Sequence, residues 1–99
     1  MTKGYVVADI EITDPAMFEE YRGKAAATIT KYGGRYLVRG GDPERLEGDR
    51  PVRRWVVLEF VSPERARAWY HSEDYAPVKA LRLKSAKTHA FLLAGHDAE

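Results

Sequence analysis

Three side chains in this sequence have the types that move protons and hold anions: Arg39, Glu59 and His71. A guanidinium in a cleft grips a carboxylate, enolate or phosphate through its planar fork of donors. A crowded or partly enclosed carboxylate has a raised pKa and serves as general acid or base. An imidazole titrates near ~6.5 and shuttles protons at physiological pH. The chemistry such a set suits is proton transfer beside a carbonyl: isomerisation, dehydration, or cofactor-free oxidation of an electron-rich aromatic. Candidate substrate-binding residues surround them. Trp69, Tyr70, Ser72 and Tyr75 crowd into "AWYHSEDY" (68–75), with Tyr21 and Arg82 elsewhere on helical faces.

Each candidate also has a plainer reading. Arg39 can pair with Glu47 or Glu59, and Glu59 with Arg53 or Arg54. Trp69 and Tyr75 can be core aromatics, His71 an exposed cap and Ser72 a helix N-cap. Asp9, Glu11 and Glu59 form a potential acidic constellation if the first and third strands are neighbours. The glycine pairs of "KYGGRYLVRGG" (31–41) do not make a phosphate loop. Such a loop needs a strand before the glycines and a helix after them, and here a helix precedes and a strand follows. His71, His89 and His96 show no metal-ligand spacing, so no metal and no bound cofactor is expected.

The elements that position these residues follow from periodicity. In "YVVADIEI" (5–12) Val6, Ala8, Ile10 and Ile12 alternate onto one strand face. Asp14 and Pro15 open a helix in which Phe18, Tyr21, Ala25, Ile29 and Tyr32 share a face, and Gly33 closes it. "RYLVR" (35–39) reads as a second strand, with Leu37 and Arg39 on one face and Tyr36 and Val38 on the other. A polar stretch, 40–51, leads to a third strand over 52–60. Ser62 and Pro63 open a second helix carrying Ala66, Trp69 and Tyr70, which breaks at "HSEDY" and restarts with Tyr75, Val78, Leu81 and Arg82 along one face. A last strand covers 88–95. This order predicts an α+β, ferredoxin-like βαββαβ fold: a four-stranded antiparallel sheet with helices on one face.

Ninety-nine residues suit a single domain, 1–99. Sixteen Lys and Arg balance fifteen Asp and Glu, so no overall field draws nucleic acid or an anionic membrane. The chain has no cysteine, which excludes disulfides and thiol chemistry. Asp9 and Glu11 interrupt the first apolar run, and no stretch approaches the ~20 apolar residues of a membrane helix. A cytoplasmic protein is expected. The sheet face away from the helices would be bare and partly apolar, which predicts a homodimer through that open face.

The segments "KGYVVADIEITDPAMFEEY", "KYGGRYLVRGG", "LEG", "VVLEF" and "AWYHSEDYAPVKALR" together resemble the DUF1330 family over roughly residues 3 to 93. One departure is Glu73, where the family often has proline after the serine of "WYHS". The resemblance implies a dimeric α+β barrel of ferredoxin-like type. The wider superfamily includes cofactor-independent monooxygenases, lactone isomerases, haem-dependent enzymes and non-catalytic modules, so it leaves the reaction open. Two functions are carried forward. One is a cofactor-independent enzyme acting on a small anionic or aromatic ligand. The other is a non-catalytic dimer that binds a metabolite or a protein.

Overall fold

The computed structural model describes residues 2–97. The element order is β1 (Gly4–Ile12), α1 (Pro15–Lys31), β2 (Arg35–Gly40), β3 (Arg54–Phe60), α2 (Pro63–Tyr70), α3 (Ala76–Ser85) and β4 (Ala86–Ala94). The strands form one sheet in the order β2-β3-β1-β4, with every neighbouring pair antiparallel. This is the ferredoxin-like α+β arrangement. Among the described residues no helix is long and apolar enough to cross a membrane.

The helices start and stop where side chains and glycines satisfy the free backbone groups. The Asp14 carboxylate accepts from the Met17 N–H at 3.1 Å, and the Ser62 hydroxyl from the Arg65 N–H at 3.1 Å. At the far end of α1, Gly33 takes φ 79°. Its N–H bonds Thr30 and the Gly34 N–H bonds Ile29, the double closure that favours glycine at this position. Ser72 organises the break between α2 and α3. Its hydroxyl donates to the Trp69 carbonyl at 2.8 Å and accepts from the Tyr75 N–H at 3.0 Å.

Burial follows the predicted stripes. Val6, Ala8 and Ile10 are buried on β1, Phe18, Ala25 and Ile29 on α1, Ala66 and Trp69 on α2. The second stretch buries Tyr75, then Val78, Arg82 and Ser85 on α3. An arginine thus occupies a core position of the α3 stripe.

The alternation expected for β2 does not hold. A bulge lies between Tyr36 and Val38: Tyr36 pairs with Leu58, Val38 with Val57 and Arg39 with Val56. The extra residue, Leu37, shifts the face of everything after it. Tyr36 and Arg39 therefore share the helix-facing side with Leu58 and Val56, and Leu37 is left 45% exposed.

Gly34 sits against Phe60: a β-carbon there would run into the Phe60 ring and lie 2.9 Å from an Ile29 methyl. Both neighbours are buried and have nowhere to retreat. Gly34→Ala should cost roughly 1–3 kcal/mol by overpacking, measured by urea denaturation. An unchanged midpoint would show that the Phe60 ring is free to move.

Candidate functional site

On the helix-facing side of the sheet, Ala8 of β1 lies beside Ala90 of β4 and Val56 of β3. These are short side chains under long ones. Above them α1 and α3 pack against each other, and α2 lies close on β1, β3 and β4. The mismatch leaves a cleft between sheet and helices. Its narrow interior is a cavity of ≈ 50 Å³, room for a carboxylate or a few waters at ~10–15 Å³ each on that measure. Arg39, itself exposed, stands among its lining residues.

The lining combines apolar floor, aromatic wall and guanidinium. Val6, Ala8, Ile10, Val56 and Leu58 make the floor; Tyr21, Tyr36, Trp69, Tyr70 and Tyr75 make the walls; Arg22, Arg39, Arg54 and Arg82 add four positive charges. No aspartate, glutamate or histidine lines it among the described residues. Arg22 is offset by exposed Glu19 at 3.1 Å, whereas Arg39, Arg54 and Arg82 have no carboxylate within ion-pair distance among the described residues.

Arg82 is the inner charge, only 6% exposed. Its Nε donates to the Tyr75 hydroxyl at 3.4 Å and a terminal nitrogen to the Tyr70 hydroxyl at 3.5 Å, long contacts of marginal strength. Burial pulls the guanidinium pKa down, but the surrounding Tyr75, Tyr21 and Tyr70 oxygens more than offset this, so it lies above its ordinary value and the charge persists. The Tyr21 and Tyr75 hydroxyls are 2.8 Å apart. Burial first, and then the neighbouring Tyr75 phenol, raises the Tyr21 pKa far above its usual value. Tyr21 is therefore a neutral hydrogen-bond donor at physiological pH and not a base.

Arg39 and Arg54 come from adjacent strands. The Arg39 guanidinium lies 4.6 Å from the Tyr36 ring centroid, a cation–π stack that the β2 bulge creates by putting Arg39 on the same face as Tyr36. Arg54 lies against Gly40, whose φ is 90°; a β-carbon there would sit 2.8 Å from an Arg54 terminal nitrogen. The second glycine pair thus ends the strand and makes room for a cleft arginine.

The predicted residues separate into two groups. Arg39, Tyr21, Trp69, Tyr70, Tyr75 and Arg82 all line the cleft. Glu59, His71 and Ser72 do not. Glu59 is on the opposite sheet face. It accepts from Arg35 Nε at 2.9 Å and the Tyr5 hydroxyl at 3.0 Å, and Lys3 is 3.9 Å away. His71 ends α2 and is exposed; with Arg67 and Phe91 it borders a separate cavity of ≈ 290 Å³ that shares the walls Val6, Tyr70 and Ala90. Ser72 spends both its proton and a lone pair on the backbone.

The acidic constellation does not assemble. In the sheet register Glu59 is beside Tyr5 while Asp9 is beside Trp55, four residues further along both strands, and Glu11 pairs with Arg53 at 2.6 Å. Among the described residues no three His, Cys, Asp or Glu side chains gather as a metal-ligating group. Sequence reasoning missed Arg22, Arg54 and Tyr36. Arg54 had a signal, since it alternates with Val56 and Leu58, but "RPVRR" reads as one basic arm. Tyr36 had none, because simple alternation puts it on the face opposite Arg39 and the bulge brings the two together.

The sheet order, the one-sided helical cover and the cleft between them define a ferredoxin-like protein of the α+β barrel type. More particularly, the chain belongs to the DUF1330 family, a domain of unknown function, whose profile matches residues 3–96. No functionally curated protein matches the chain. Among solved structures it is similar to RPA0582, a protein of unknown function from Rhodopseudomonas palustris, with a TM-score of 0.77 and 12% identity over 97% of this chain and 84% of that one. It is also similar to SnoaB, a cofactor-independent oxygenase from Streptomyces nogalater, with a TM-score of 0.66 and 14% identity over 99% and 97% of the two chains. At these identities the likeness is one of fold.

The Glu59 cluster makes an acid-stability prediction. The Arg35 hydrogen bond and then the Tyr5 hydroxyl hold the Glu59 carboxyl below its ordinary value of 4.5. The folded state binds this proton less readily than the unfolded chain, so the contribution to stability is present above the ordinary value and lost as pH falls through the depressed one. Thermal unfolding followed from about pH 6 to about pH 3 should show Glu59→Gln losing less stability on acidification than the parent. Parallel losses would mean that the cluster does not couple to folding.

Proposed function

We propose that this protein binds a small planar organic anion in the arginine-lined cleft, with the Arg82 guanidinium as its inner partner. The observation that carries this reading is a buried, permanently charged group facing an aromatic-walled cavity with no carboxylate partner among the described residues. A buried guanidinium without a counter-charge is costly, and an anionic ligand supplies the missing charge. Arg39 holds a second oxygen near the exposed side, and Tyr21, Trp69 and Tyr75 wall a flat ligand body.

The same arrangement supports a catalytic role. A field of guanidiniums lowers the cost of forming an enolate or phenolate, the step that isomerisation and cofactor-free oxidation share; with no carboxylate or histidine on the cleft wall among the described residues, solvent water takes the proton. The Tyr21–Tyr75 hydroxyl pair favours this second reading, because it can donate a hydrogen bond to such an oxygen. In this account Glu59 and His71 are not the proton carriers, since neither lines the cleft.

The assembly we propose is a homodimer joined through the open sheet face. Phe91, Leu93, Val38 and Trp55 are 63%, 50%, 41% and 39% exposed on that face, beside Val7 and Val57 in the register. An apolar surface of this kind marks an interaction site, and the Asp9 Oδ1 atom on the same face is buried without a hydrogen-bond partner among the described residues. On composition the expected setting is cytoplasmic.

Two measurements test these readings. A thermal-shift screen against small carboxylates and phenols should give stabilising ligands for the parent. Arg82→Met should leave the ligand-free midpoint unchanged or higher, because it replaces a buried charge that has no carboxylate partner among the described residues with a well-packing side chain, while the ligand shift disappears. A retained shift in Arg82→Met, or no hit at all for the parent, contradicts the reading. Sedimentation should show a species of twice the chain mass at micromolar concentration, and Phe91→Glu should convert it to one of single mass. A parent that sediments at single mass contradicts the dimer.

A further inference from the structure

We propose that the ligand of this cleft is a dianion, a short dicarboxylate, whose second carboxylate is held by Arg22, Arg54 and Thr88. The inference rests on the anion reading above and names its substrate class. Four buried side-chain polar atoms lack a hydrogen-bond partner among the described residues: Asp9 Oδ1, Arg22 Nε, Arg54 Nε and Thr88 Oγ1. Three of the four belong to residues that line this one cleft. Native proteins leave few such atoms unpaired, so their concentration around one cavity points to a ligand that completes them.

Their chemistry identifies that ligand's group. An arginine Nε–H only donates, and a threonine hydroxyl donates one proton. Two guanidiniums cannot satisfy each other, and among the described residues no acidic side chain lines the cleft. The missing group is therefore an acceptor with several lone pairs and negative charge. A carboxylate has two oxygens and about four acceptor sites, enough for all three donors.

This subsite is distinct from the Arg82 end. Ile10 of β1 pairs with Arg54 on one side and with Thr88 on the other, so the two donors flank one buried isoleucine across three adjacent strands. The Arg82 guanidinium reaches back along α3 to the Tyr75 and Tyr70 hydroxyls, and Tyr75 packs in the cluster that contains Val6 and Leu58. Between the two ends lies the row of Ala90, Ala8 and Val56, an apolar floor for a short carbon body. A phosphate, with its charge at one point, would occupy one end only.

Calorimetric titration of the purified full chain at fixed ionic strength tests this. The probes are succinate, glutarate and the three benzenedicarboxylates, each matched to butyrate or benzoate, with inorganic phosphate as a compact anion. At least one dicarboxylate should bind roughly tenfold or more tightly than its matched monoacid. Thr88→Val, which keeps shape and charge, should narrow that gap to within about threefold, the change expected when one charge-assisted hydrogen bond is lost. It should also raise the ligand-free thermal midpoint by removing an unpaired hydroxyl. Arg54→Gln should narrow the gap in the same direction. A drop in Thr88→Val cannot come from general attraction to a basic cleft, because the substitution changes no charge. Equal affinity for matched acids, a gap that survives Thr88→Val, or phosphate binding above every dicarboxylate would overturn the second subsite and leave the Arg82 reading standing. Failure of every acid to bind would overturn both.

Discussion

The Arg82 guanidinium is carried by the core stripe of α3 into a space walled by tyrosines. Removing an ion from water costs several kcal/mol even after relaxation. The Tyr75 and Tyr70 phenol oxygens at 3.4 and 3.5 Å offset that cost but bring no formal counter-charge. Much of the surrounding architecture can be understood as holding this charge in place. The Ser72 turn between α2 and α3 sets Tyr75 so that its ring stacks 4.1 Å from Trp69 while its hydroxyl faces Arg82. Trp69 is fixed in turn by its indole N–H to the Thr28 hydroxyl at 3.0 Å. The short side chains of Ala8 and Ala90 keep the space beneath from filling.

The sheet acts as a partition between charges. β3 alternates so that Arg54 points toward the helices and Glu59 away from them. β2, after its bulge, sends Arg39 inward, while Arg35 before the bulge stays outside to pair with Glu59. The inner side therefore gathers guanidiniums, and the outer side gathers the carboxylates of Asp9, Glu11 and Glu59. Neutralisation across the sheet is blocked by the thickness of the backbone. A chain whose formal net charge is only +1 thus builds a cleft with four arginines, and overall composition gives no hint of it.

Element order, both side-chain helix caps, the Gly33 closure and the break at "HSEDY" were legible because each rests on local chemistry: Asp14, Ser62, Pro15 and Ser72 act on backbone groups a few residues away. Arg82 was legible because helical spacing put it on the Tyr75–Val78 face. The bulge at Leu37 was not, since "RYLVR" alternates well enough to hide one extra residue, and Arg39 reached the cleft by a route opposite to the expected one. Glu59 is partly enclosed, as its place between Leu58 and Phe60 suggested, with its side chain 12% exposed, but the cleft does not enclose it. Strand alternation instead sends it to the face opposite those two buried neighbours. His71 follows the last turn of α2, where one residue of rotation separates it from Tyr70 and the cleft.

The central claim is that the cleft is an anion site organised by Arg82, and the location of a bound anion tests it most directly. Crystals soaked in bromide and measured for anomalous scattering should show a peak within hydrogen-bonding distance of the Arg82 guanidinium, inside the aromatic wall. Bromide confined to exposed arginines and lysines, with none in the cleft, would contradict the account.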